Sequence, residues 1–291
     1  MQLADDVRRK LLVFQKTEIT EYHIYKRLAK RINSPENAKI LDQIAEDEKR
    51  HFERWKTYTG EDVQPNWAAV WFYYLVSRTL GFTFGVKLME MGEEKAQGNY
   101  ESVAGVIPEA RQIQEEEDRH EQQLIEMLDE ERLQYAGSVV LGLNDALVEL
   151  TGALAGLTLA LQNGKLIALS GLITGIAASL SMAASEYLST RSEKTTKNPT
   201  RAAIYTGIAY IITVTLLVLP YLLMPANFYA DLVIALATAV AIIAAFNYYI
   251  SVAKGESFKA RFLEMAGLSL SVALFSFVIG YFIRRWLGIE V

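Results

Sequence analysis

The sequence predicts an all-α protein in two parts: a soluble four-helix bundle over residues 1–134 and a membrane domain of five transmembrane helices over residues 135–291. Three observations predict it. A block of carboxylates ending in histidine occurs twice in the first part. Charge is concentrated there too, with 19 Lys and Arg against 26 Asp and Glu, whereas the second part has 10 against 8. The second part is filled by five apolar runs, each with the roughly 20 residues needed to cross a hydrocarbon core.

The repeated block sets Glu46-Asp47-Glu48-Lys49-Arg50-His51 over Glu115-Glu116-Glu117-Asp118-Arg119-His120, and it uses two of the chain's three histidines. On a helix, residues three apart share a face, so each E-x-x-H points a carboxylate and an imidazole the same way. Glu18 lies seven residues before Tyr25, and Glu93 seven before Tyr100. The order is thus Glu18, Glu48/His51, Glu93, Glu117/His120, one two-helix unit used twice. Two E-x-x-H helices, each joined by a lone glutamate from another helix, form the inward shell of a di-iron carboxylate bundle. A charged, solvent-facing helix has no reason to keep that order. Glu90, one turn before Glu93, is a candidate alternative ligand, and Glu21 is expected to support a ligand rather than bind metal.

Four helices follow from the pattern. The first runs from about Leu3 to Arg31 and the second from Pro35 to Tyr58, opened by Ser34 as cap and Pro35 at the first helical position. The third lies within Asn66–Tyr100, and the fourth runs from Pro108 into the linker. Trp67–Met91 is apolar enough to pass for a membrane span. A span there would put Glu93, Glu117 and His120 across the bilayer from Glu18, Glu48 and His51, and Arg78 and Lys87 interrupt it. It is read as a buried or interfacial helix.

The absence of cysteine excludes disulfides, thiolate zinc sites and iron–sulfur clusters. The net charge is −5 and no basic stripe suggests nucleic acid. The start, MQLADDVRRK, lacks a signal-peptide pattern, so the N-terminus is expected to stay in the cytoplasm.

The five apolar runs are about Ala136–Leu161, Leu166–Leu188, Ala202–Met224, Tyr229–Ile250 and Phe262–Ile283. With the N-terminus inside, the inner loops hold seven Lys and Arg against three on the outer side, the bias expected of cytoplasmic loops. Arg284-Arg285 at the outer end runs against it. Asn144, Asp145 and Glu149 lie within the first run and Glu186 within the second. Each carboxylate at a helix centre costs about 2.5–3.5 kcal/mol, so these are expected to face an interior path. Asp145 and Glu149 share a face, as do Met182 and Glu186. A thioether beside a carboxylate suits a borderline ion such as ferrous iron, although packing is the commoner use of a lone methionine. Gly152-x-x-x-Gly156 and Gly171-x-x-x-Gly175 allow close helix approach, within or between protomers. Asp231 and Glu264 sit near run ends and are expected to be interfacial.

Both parts resemble known families. Residues 1–134 resemble the rubrerythrin branch of ferritin-like proteins through Glu18…Tyr25, Glu48-x-x-His51, Glu93…Tyr100 and Glu117-x-x-His120. Residues 135–291 resemble the vacuolar iron transporter family through Leu141-Gly142-Leu143-Asn144-Asp145-Ala146-Leu147-Val148 and Ser181-Met182-Ala183-Ala184-Ser185-Glu186-Tyr187-Leu188-Ser189. The order is similar to that of fused ferritin-like/iron-transporter proteins of prokaryotes, the membrane-bound ferritins. The resemblance implies a homodimer in the inner cell membrane, five spans per chain, that moves Fe²⁺ out of the cytosol in exchange for H⁺. It also implies that Asp145 and Glu186 belong to the ion path. Relatives usually have glycine where Ala146 and Ser185 stand, and only Arg191 to Arg201 joins the second and third spans, which leaves no room for the metal-binding insert of eukaryotic transporters.

The residues therefore predict an iron exporter in which Glu18, Glu48, His51, Glu93, Glu117 and His120 hold two irons, with Glu90 as alternate. Asp145 and Glu149 would carry cation and proton through lipid, with Met182 and Glu186 near the cytosolic mouth. Manganese fits the same ligands. The rival reading is a membrane-anchored di-iron oxidase or peroxidase whose spans serve as anchor.

Overall fold

The computed structural model describes residues 4–32, 34–96, 101–126, 135–193, 195, 197–224 and 227–287. All regular structure among them is α-helical, and the chain divides into two compact units, Met1–Glu130 and Glu131–Val291.

The first unit is built on a long antiparallel pair, α1 (Asp5–Ala29) and α2 (Pro35–Thr59). Ser34 caps α2 by accepting from the Asn37 amide at 3.3 Å, and Gly60, with φ +70°, ends it. Two apolar clusters bind this pair to the remaining helices. Near one end Leu11, Phe14 and Trp55 pack with Val103, Ile107 and Ile113; near the other Ile24, Leu41 and Ile44 pack with Val70, Phe82 and Val86. Glu18 and Glu48 lie along α1 and α2 between the two. A polar centre is thus sealed by hydrocarbon above and below.

The expected single third helix is two. α3 (Trp67–Leu80) and α4 (Phe82–Ala96) meet at Gly81, where φ is +109°, a region open to glycine but costly for other residues. The two helices fold back on each other: Gly85 backs onto Ser77, and a Cβ at Gly92 would lie 3.0 Å from the Tyr73 hydroxyl. Hydropathy carries no signal of the reversal, because both arms are apolar. α3 buries Val70, Tyr74 and Ser77 while Trp71, Phe72 and Leu75 stay exposed. The Arg27 guanidinium sits 5.3 and 5.4 Å from the Trp67 and Trp71 ring centres. A short α5 (Glu101–Ala104) and α6 (Glu109–Glu126) complete the unit. The linker into which the fourth helix was expected to run lies outside the described residues.

The second unit contains five helices long and apolar enough to cross a membrane: α7 (Ala136–Leu161), α8 (Gly164–Ser192), α9 (Pro199–Leu223), α10 (Phe228–Lys254) and α11 (Phe258–Leu287). Side-chain oxygens of Asn163, Asn198 and Asn227 cap α8, α9 and α10. α9 continues three residues past Pro220 and ends at Leu223, one residue short of the expected Met224. The core gathers Leu147, Leu150 and Leu154 with Tyr210, Leu217 and Ile243, while Ile173, Leu180, Leu263 and Phe275 point outward. An apolar exterior of this kind is what a bilayer requires. The glycine pairs pack within the chain: Gly152 and Gly156 meet Val272 and Ser276 of α11, and Gly171 and Gly175 meet Val218 and Val214 of α9.

Candidate functional site

Glu18 of α1, Glu48 and His51 of α2 and Glu117 of α6 present ligand atoms that all lie within 4.8 Å of one another. His51 Nδ1 is 2.9 Å from Glu117 Oε1, 3.4 Å from Glu18 Oε2 and 3.6 Å from Glu48 Oε2. His120 Nδ1 lies 3.1 Å from Glu48 Oε1 and 3.5 Å from Glu117 Oε2. Glu48 and Glu117 therefore each reach both imidazoles, with one oxygen apiece, while Glu18 stands on the His51 side. The two rings stack with centroids 6.0 Å apart.

Further side chains hold this geometry. The Trp55 indole donates to Glu18 Oε1 at 3.0 Å. His51 Nε2 donates to Glu116 Oε2 at 2.8 Å, and His120 Nε2 to Asp47 Oδ2 at 3.1 Å. Gln112 in turn donates to Glu116 Oε1 at 3.0 Å. A carboxylate on Nε2 keeps the proton there and leaves Nδ1 for a metal. The sequence reading gave Asp47 and Glu116 no role, although they occupy the same position in the aligned blocks; that correspondence was the available signal.

Burial alone would lower both histidines and raise both glutamates. For the histidines the carboxylates outweigh it: Glu117, Glu18 and Glu48 push His51 far up, and Glu117 and Glu48 push His120 up to about 10. Burial, reinforced by the Glu117 charge, holds Glu48 well above the usual carboxylate range. Glu117 resists burial because the imidazoles of His120 and His51 beside it draw it down to about 2. Protons thus neutralise a centre that cations would otherwise neutralise.

The chemistry fits a metal. Glu48 Oε2, His51 Nδ1, Glu117 Oε1 and His120 Nδ1 are buried and make no hydrogen bond, and they converge on one region. Leaving such groups without a partner is expensive. Carboxylate and imidazole donors without thiolate suit Fe²⁺ or Mn²⁺.

The side chains of Glu90 and Glu93 lie outside the described residues, as does Tyr100; among the described residues the centre comes from α1, α2 and α6. Glu21 lines a cleft of about 640 Å³ with Lys16, Tyr73 and Met89.

In the second unit the Tyr210 hydroxyl donates to Glu149 Oε2 at 3.0 Å, one turn along α7 from Asp145. The Ser138 hydroxyl donates to Glu186 Oε1 at 2.6 Å, tying α8 to the start of α7. Met182 is half-buried against the apolar core. Asp145, Glu149 and Glu186 are not drawn into one metal-sized group: among the described residues the first unit's cluster is the only convergent set of three or more His, Asp or Glu ligands. Asp231, in the first turn of α10, is fully buried, with neither carboxylate oxygen hydrogen-bonded.

No curated protein and no solved structure matches the chain. The sequence model of the VIT family matches residues 136–197, the stretch that forms α7, α8 and the turn into α9. That match and the five long apolar helices make the second unit a multi-pass membrane domain similar to the VIT family of metal ion transporters.

Proposed function

We propose that this protein exports Fe²⁺, or Mn²⁺ by the same ligands, from the cytosol across the inner cell membrane in exchange for H⁺. In this reading residues 1–134 are a cytosolic ferritin-like bundle of the rubrerythrin type that captures the cargo, residues 135–291 are the transporter, and two chains act together as a homodimer. The observation that carries the reading is the combination, in one chain, of a buried Glu/His cluster and a VIT-like stretch holding Asp145 and Glu149 inside a span.

In the bundle, Glu18, Glu48, His51, Glu117 and His120 would hold the metal, joined by Glu93 and in turn by Glu90. Bound iron would supply one-electron redox chemistry. Asp47 and Glu116 orient the imidazoles, and the two apolar clusters keep bulk water out. In the membrane, Asp145 and Glu149 offer the cation a carboxylate face in exchange for protons, Tyr210 orients Glu149, and Met182 and Glu186 receive cargo at the cytosolic mouth. Glu149 is exposed on the single chain, as a group on a path completed by a second protomer would be.

A second reading, a membrane-anchored di-iron oxidase or peroxidase, is favoured by one observation: Glu48 and Glu117 each span both histidines, as carboxylates shared by two redox metals do. Liposomes carrying an iron-sensitive and a pH-sensitive dye separate the two. Iron uptake from the bundle side with opposite proton movement, lost in Asp145→Asn, is expected. Fe²⁺ oxidation that depends on Glu48 and His51, without uptake, would replace the exporter by the oxidase.

A further inference from the structure

The cluster is not sealed equally on all sides. The side chains of Glu18, Glu48 and His51 are at most 1% exposed, whereas Glu117 is 24%, Asp47 16% and Glu116 11% exposed. The open side meets a surface cleft of about 580 Å³ whose walls include Asp42, Glu46, Asp47, Glu116, Arg50 and Arg119. Asp47 and Glu116 belong to both places, lining the cleft and each holding a metal-site histidine. Arg50 stands between them: its guanidinium pairs with Asp47 Oδ1, and its Nη2 is 3.8 Å from Glu116 Oε2.

We propose that this cleft is the port through which divalent cations reach the buried cluster, and that Arg50 is its cationic plug; the inference rests on the cluster binding metal. A guanidinium stays charged at every working pH, so a cation passing between Asp47 and Glu116 meets repulsion until Arg50 moves. Arg50 has room to swing outward, because its side chain is 56% exposed. Asp42 and Glu46, farther out in the wall, are paired with Lys26 Nζ at 2.5 and 2.7 Å, and Lys39 lines the same cleft, so the carboxylates left facing the passage are Asp47 and Glu116. Arg119, the matching residue of the repeat, donates to the Glu115 carbonyl of its own helix. The two halves of the repeat therefore differ here, and the plug comes from α2.

The test uses the full chain in detergent, with Co²⁺ as probe, its visible absorption followed by stopped flow, and release followed by an EDTA chase. Arg50→Gln is expected to speed loading and release together, each about ten-fold, with Kd held within about two-fold. Arg119→Gln is expected to leave both rates unchanged. Should Arg50→Gln fail to fold, Arg50→Met takes its place, keeping the aliphatic stem without the charge, and is expected to speed both rates to the same extent. Unchanged rates in Arg50→Gln would overturn the port, as would weaker binding without faster loading, which would make Arg50 a positioning residue for Asp47 and Glu116. Wild-type chain that takes up no Co²⁺ would instead overturn the metal reading beneath it.

Discussion

His51 on α2 and Glu116 on α6 are joined beside the buried Glu/His cluster by a 2.8 Å hydrogen bond, and His120 and Asp47 repeat that bond in the opposite direction at 3.1 Å. Each half of the repeat therefore orients the other half's imidazole. Losing such a partner typically costs 10–100-fold in metal affinity. Glu116→Gln is expected to weaken Co²⁺ or Mn²⁺ binding by about that factor, measured by titration calorimetry. Glu115→Gln, one residue away and exposed, is expected to leave the affinity unchanged.

Metal and protons compete for the same atoms. His51 and His120 are held protonated well above neutrality, so loading the bundle with Mn²⁺ at pH 7 in weak buffer is expected to release protons, read with a pH dye. Metal-free stability follows the same shifts. His120, raised to about 10, contributes stability that is complete below its ordinary 6.5 and lost as pH climbs through 10. Glu117, lowered to about 2, contributes stability that is present above its ordinary 4.5 and lost as pH falls through 2. Melting curves in EDTA should fall at both ends, and Mn²⁺ should remove the alkaline loss. An EDTA midpoint that stays flat from pH 7 to 10 would contradict the assignment.

Gly142 lies against the backbone of Thr206, closer than a Cβ could approach without displacing the carbonyl. Gly142→Ala is expected to destabilise the membrane unit by about 1–3 kcal/mol. Gly137→Ala, with nothing nearer than the Lys197 ammonium at 4.0 Å, is expected to be neutral. Thermal melts in detergent distinguish the two.

Asp231 is buried without a hydrogen bond to either oxygen, which is expensive for a charge even with the favourable end of a helix beside it. Replacing an unpaired buried charge by an apolar residue that fits the same space is expected to stabilise, here by about 1–3 kcal/mol for Asp231→Ala. A lower melting midpoint would mean that the carboxylate has a partner in the assembled protein.

The α3–α4 hairpin shows where the sequence stops. Trp67–Met91 reads as one apolar helix because hydropathy averages over both arms; the break depends on one positive-φ glycine and on the fit of Gly85 against Ser77, neither visible in a window average. The long amphipathic pair α1–α2 and the five apolar helices were legible to within about four residues at each end, because hydrophobic periodicity and apolar length are local properties.

By itself the sequence determined the helical content, the division of charge between the two parts, and the pairing of carboxylate with imidazole on one helix face, all consequences of spacings of three to seven residues. Tertiary structure alone decided that Asp47 and Glu116 serve the histidine of the opposite helix, that the apolar stretch after Asn66 turns back at Gly81, and that Asp231 is buried. Those facts depend on how helices pack against one another, and packing depends on shape at contacts that no local spacing encodes.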